Sequence, residues 1–197
     1  MTTDNGKILP IVGYGSPILK QVCLEVDKTI DEVKLLANDL IATMTNIGTA
    51  VGLAAPQVNV NLRMFIMSPN RKPIVVINPI ITKRRGTKKS EEGCLSIPGV
   101  YETVAERDEI IDVEYYDVDM NKQKLRLRGF DAVVFQHEFD HLNGILFTDR
   151  LTKEGEEAAK DKLSDIEKGI HKADYPMVFT HILKDHTNCN AVINKIV

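Results

Sequence analysis

The sequence predicts an α+β fold in which helices pack against mixed and antiparallel β-sheets. Three observations carry this expectation. Apolar residues recur at helical spacing in two separate windows, 31–45 and 130–141. Short β-prone runs fill the span between them, and Gly, Pro, Asn and Asp punctuate those runs at close intervals. At 197 residues the chain can bury a sizeable core but is too short for several large domains, so one compact domain is expected.

In the first helix Val33, Leu36, Ala37, Leu40, Ile41 and Met44 share a core-facing stripe, and Asp31 and Glu32 suit the positive N-terminal end. A segment containing Gly48, Gly52 and Pro56 follows. Runs at Arg63–Met67, Ile74–Ile77 and Ile110–Tyr116 predict strands, and the basic residues Lys83, Arg84, Arg85, Lys88 and Lys89 around Gly86 predict a solvated hairpin tip. Asp119-Met120-Asn121 turns the chain into a strand at Lys124–Arg128. A second helix, central to the fold, should run from Phe130 to His141 and stop at Asn143-Gly144. Beyond Leu151 a charged helix from Lys153 to Lys168 precedes a tail holding three of the five histidines. Residues 151–197 are therefore expected as an appendage to a main unit formed by residues 1–150.

Composition narrows the function classes. With 43% hydrophobic residues, 27% charged residues and a formal net charge of −3, nothing favours nucleic acid, and the basic cluster lacks interleaved aromatics for base stacking. No apolar run approaches the roughly 20 residues that span a bilayer as a helix. The first residues carry acid early and no long apolar core, unlike a secretory or transit peptide, so a cytoplasmic protein is expected. Cys23, Cys94 and Cys189 are too few for a disulfide framework. No internal repeat or low-complexity segment is present.

The chemistry sits on the second helix, where His137-Glu138-Phe139-Asp140-His141 fits His-Glu-x-x-His. Residues four apart project from one helix face, so two imidazoles can grip one metal while the glutamate reaches water beside it. Phe130, Val134, His137 and His141 fall on one stripe, which is expected to be buried. A single histidine there would ordinarily be a hydrogen-bonded core residue; two with an interposed glutamate call for a third ligand. The downstream form His-Glu-x-x-His-x-x-Gly-x-x-His finds Gly144 on schedule, but Phe147 stands where the third histidine belongs and cannot ligate. Glu154, Glu156 and Glu157 read as a solvated helix face. Upstream, Glu92-Gly93-Cys94-Leu95-Ser96 offers Cys94, with Gly93 permitting close backbone approach to a ligand. His181, His186 and Cys189 carry further donor atoms, but no fourth ligand at motif-like spacing accompanies them.

With a third segment, Gly52-Leu53-Ala54-Ala55-Pro56-Gln57, these motifs resemble the peptide deformylase family. Its patterns Glu-Gly-Cys-Leu-Ser and Gln-His-Glu-x-Asp-His are matched in full by Glu92–Ser96 and Gln136–His141, in the family's order. The likeness spans roughly residues 8 to 150. One departure is Ala50, in place of the usual leading glycine of the first motif.

The resemblance implies that Cys94, His137 and His141 bind one divalent metal with a fourth position open, and that Glu138 is the general acid and base. It assigns stabilisation of the developing oxyanion to the Gln57 amide and the Leu95 backbone N–H. Val51, Gly52, Gly93, Val133 and Val134 are expected around the substrate, with the valines forming an apolar pocket for methionine. Glu92 is expected to support the metal site by pairing with Arg107. The resemblance implies Fe(II) in the cell, while Zn, Ni or Co also suit the donors and could occupy a purified sample. The implied substrate is the formyl-methionyl N-terminus of nascent polypeptides, met near the ribosome. Two alternatives stand beside it: a small zinc peptidase, separable by internal peptide cleavage, and a non-catalytic structural metal site, which would have no use for an acid at Glu138.

Overall fold

The computed structural model describes residues 6–69 and 72–182. In chain order the elements are β1 (Ile11–Val12), α1 (Ile30–Ile47), β2 (Gly52–Ala54), β3 (Met64–Met67), β4 (Ile74–Arg85), β5 (Lys88–Cys94), β6 (Ile97–Arg107), β7 (Ile110–Tyr116), β8 (Lys122–Arg128), α2 (Gly129–His141), α3 (Lys153–Glu167) and β9 (Met177–Val178). The α+β expectation holds. A five-stranded antiparallel sheet has the order β2-β3-β4-β7-β8, β5 and β6 form a separate antiparallel pair, and β1 pairs in parallel with β9.

Side-chain alternation along the central strands builds two cores from one sheet. On β3, Met64 and Ile66 join Leu53 and Ile77 on the face covered by Val33, Ala37, Leu40 and Met44 of α1. Phe65 and Met67 face the other way with Ala54, Val76 and Ile111, against Ala132, Val134 and Phe135 of α2. The α1 start is fixed by Thr29, whose hydroxyl accepts from the Glu32 amide while the Glu32 carboxylate accepts from the Thr29 amide at 3.0 Å.

Several elements differ from the sequence reading. β4 runs on to Arg85, and Lys83–Arg85 pair with β7, while Lys88 and Lys89 open β5, where Lys88 pairs with Arg107 of β6. The basic cluster is therefore not a hairpin tip. The chain changes sheets at Gly86, whose φ of +67° allows the bend, and Arg84 and Arg85 meet Asp108 and Asp112. Phe130 is 65% exposed, not buried with Val134, because it sits in the first turn of α2 at the rim of a cleft. In α3, the charged helix expected from sequence, Gly155, Ala159 and Ile166 are buried, and Ala159 and Ile166 share a third core with Val100 and Val104 of β6 and with Phe147. Among the described residues, no helix is long and apolar enough to cross a membrane.

Candidate metal centre and cleft

Two distant pieces of chain meet at the site. Cys94 ends β5 and pairs with Ile97, so Leu95-Ser96 forms the tip of the β5–β6 hairpin. His137 and His141 lie one turn apart on α2, which ends after His141; the Asn143 side chain donates to the Phe139 carbonyl at 2.7 Å, and Gly144 takes a φ of +70°. Ligand atoms of Cys94, His137 and His141 all lie within 4.8 Å of one another, the one such group of three among the described residues. Cys94 Sγ is 3.3 Å from His141 Nε2. Ligands of one tetrahedral ion with metal–sulfur and metal–nitrogen bonds of normal length stand roughly 3.5 Å apart, so this spacing fits a shared cation.

The His137 imidazole is oriented by a buried carboxylate. His137 Nδ1 is 2.9 Å from Glu92 Oε2, which leaves Nε2 for the site. Glu92 in turn accepts from Arg107 Nε at 2.7 Å and Nη2 at 2.9 Å, and from the Ser90 hydroxyl at 2.7 Å. The pairing with Arg107 expected from sequence is present. It extends further: Arg107 also donates to Asp140, which accepts from Arg150 Nε and Nη2 at 2.6 and 2.7 Å. Asp140, buried on α2 between the two histidines, and Arg150 were not singled out by sequence. Their only signal was the aspartate in the Gln-His-Glu-x-Asp-His match. Phe147, standing where the extended motif would place a histidine, stacks on the His137 ring at 6.1 Å.

Electrostatics follow from burial and these contacts. Burial works against a charged His137, yet hydrogen bonds to Cys94 and Glu92 raise its pKa well above the ordinary value. Burial and the neighbouring His137 charge push His141 well below. Glu138 is pushed up to about 7, chiefly by burial. Its Oε2 is buried with no hydrogen-bond partner, as is His141 Nδ1. The buried unpaired carboxylate oxygen, beside soft and borderline donors, fits a bound divalent cation and its water.

Cys94, His137 and Glu138 line a cleft of about 440 Å³. Val51 and Gly52 form one wall, Gly93 and Leu95 another, and Phe130, Val133 and Val134 of α2 a third, so every expected substrate-side residue lines it. Val133 and Val134 are nearly buried, whereas Val51 is 42% exposed at the rim. Gly52 is required by close approach, since a Cβ there would stand 2.8 Å from Glu138 Cδ. Gln57 follows the short strand β2; its Oε1 accepts from the Ala54 amide at 2.8 Å, which aims Nε2 at Cys94 Sγ and Ser96 Oγ, both at 3.4 Å. A fourth wall was not anticipated: Lys172, Ala173, Asp174 and Tyr175 from the C-terminal segment. His181 is not part of the centre, its ring nitrogens meeting Ser16 Oγ and the Glu167 carbonyl; His186 and Cys189 lie outside the described residues.

An α+β fold carrying a helix-borne His-Glu-x-x-His site with a cysteine donor, open to a cleft, defines a metallohydrolase. The profile of the polypeptide deformylase family matches residues 8–157. The peptide deformylase of Cytophaga hutchinsonii is 42% identical over 184 residues, covering 87% of this chain and 97% of that protein. Among solved structures, peptide deformylase from Thermus thermophilus superposes with a TM-score of 0.77 at 41% identity, over 83% of this chain and all of that one. Plasmodium falciparum peptide deformylase, in complex with an inhibitor, gives 0.74 at 36% identity, over 80% and 99%. The chain belongs to the polypeptide deformylase family.

Proposed function

We propose that this enzyme hydrolyses the N-formyl group from the formyl-methionyl N-terminus of newly made polypeptides, releasing formate. The observation that carries the reading is the trio Cys94, His137 and His141, of which Cys94 and His137 face a cleft, with a buried, unpartnered Glu138 carboxylate oxygen beside them. Cys94, His137 and His141 would hold the metal. A divalent cation held there would supply Lewis acidity, lowering the pKa of a water and polarising the formyl carbonyl. Glu138 takes the proton of the attacking water and returns it to the departing amine as the C–N bond breaks. Gln57 Nε2 and the Leu95 N–H donate to the carbonyl oxygen as negative charge develops on it. Val133 and Val134 receive the methionine side chain, with Val51 and Gly52 opposite; Gly93 lines the cleft, but the space a side chain there would take is filled by the Tyr101 ring rather than left for the peptide. Burying such a side chain is worth roughly 1.5–3 kcal/mol.

Fe(II) is the metal of this reading in the cell; a thiolate with two imidazoles also accepts Zn, Ni or Co after purification. Action on nascent chains places the enzyme in the cytoplasm, near the ribosome. The test is formate release from a formyl-Met-Ala-Ser peptide, with internal cleavage followed in parallel. Glu138→Gln is expected to keep its metal and lose formate release. Persistent turnover in that variant refutes the assigned base, and internal cleavage without formate points to a peptidase.

A further inference from the structure

The C-terminal segment lies beyond the residues that the family profile matches, yet it reaches the reacting centre. β9 is tied to β1 by hydrogen bonds from the Ile11 amide to the Pro176 carbonyl and from the Gly13 amide to the Val178 carbonyl, both 2.8 Å. The Thr180 amide adds a bond to Ser16 Oγ at 3.1 Å. This strap delivers Tyr175 into the cleft, where its hydroxyl donates to the Leu95 carbonyl at 2.9 Å. The next carbonyl, of Ser96, accepts from the Tyr14 amide at 2.9 Å. In the two-residue tip between the paired residues Cys94 and Ile97, Tyr14 and Gln57 hold Ser96, while the Leu95 carbonyl is held by Tyr175. Donors that stabilise an oxyanion work only when they are fixed before charge develops, so a hairpin-tip N–H needs an external brace. We propose that Tyr175 is a positioning residue for hydrolysis: by gripping the Leu95 carbonyl it holds the Leu95 N–H on the developing oxyanion, making the C-terminal strap a working part of the active site. The inference rests on the reading of Leu95 as an oxyanion donor.

The test is Tyr175→Phe in the full, metal-loaded chain, which removes the hydroxyl and keeps the ring. The expected result is a fall in kcat for a formyl-methionyl peptide of roughly tenfold, the low end of the 10–100-fold range for partners that orient active-site groups, with KM and metal content unchanged. A purely structural tyrosine would lower the melting temperature and leave kcat alone, so wild-type kcat in Tyr175→Phe overturns the proposal. If that variant fails to fold, Gly13→Ala takes its place. An added Cβ there overlaps the Phe179 ring and must displace this side chain of the strap; unchanged kcat then overturns the proposal. Gln57→Ala run alongside separates the two readings. A large loss there with unchanged Tyr175→Phe sinks the tyrosine role alone, whereas no loss in either sinks the oxyanion reading itself.

Discussion

Replacing Glu92 by Gln tests how the metal centre is held. The Glu92 carboxylate is 6% exposed and sits at the middle of a buried chain running from His137 through Arg107 to Asp140. The amide keeps the shape but removes the charge that Arg107 faces and turns one acceptor into a donor. Breaking one partner of a buried ion pair costs about 3–5 kcal/mol. At about 2–4 °C per kcal/mol for a protein of this size, the melting temperature should fall by roughly 6–20 °C. Burial alone would raise the Glu92 pKa, but hydrogen bonds from His137 and Arg107 and the Arg107 charge hold it at about 2, below its ordinary 4.5. A carboxylate so depressed stabilises the fold above its ordinary pKa and loses that contribution as pH falls toward the folded value. Metal-free wild type should therefore lose stability between about pH 5 and 2 more steeply than Glu92→Gln. Metal affinity should drop 10–100-fold, since the imidazole of His137 loses its orienting carboxylate. Denaturant melts across pH and competitive metal titration give both readouts. Unchanged metal affinity together with parallel pH profiles refutes the reasoning.

Three further outcomes follow from the geometry. Gln57→Ala should lower kcat by about 10²–10³ with little change in KM, as expected for a donor engaged mainly in the transition state; a rise in KM alone would assign Gln57 to substrate binding instead. Gly52→Ala should retain metal, measured by elemental analysis, yet lose most formate release, because the added methyl displaces the Glu138 carboxylate. Near-normal turnover would show that Glu138 does not need its observed position. Burial pushes the Cys23 thiol up to about 11, so in the native protein it should resist alkylation at pH 8 and react only after denaturation, as mapped by mass spectrometry.

What the sequence made legible was local. His137, Glu138 and His141 share one helix turn, so their spacing is a geometric statement before any fold is known. The strand Ile110–Tyr116 could be read because apolar Ile111, Val113 and Tyr115 alternate with polar Asp112 and Glu114, and those three are the buried ones. Cys94 required joining a segment some forty residues upstream, and only motif order supplied that link. Residues whose role depends on a sheet change or a chain reversal stayed hidden. Arg84 and Lys88 look like one basic turn in sequence, but the bend at Gly86 sends them into different sheets. Asp140 looks like a polar spacer in the motif, yet it anchors both Arg107 and Arg150. Tyr175 lies 80 residues from Leu95 in an irregular stretch, and no periodicity points from one to the other.

X-ray absorption at the metal edge, on protein purified anaerobically with one equivalent of bound ion, tests the centre most directly. One sulfur and two imidazole nitrogens with one further light-atom ligand are expected, with the sulfur signal lost in Cys94→Ser. A first coordination sphere without sulfur, or one filled by four protein side chains, would contradict it.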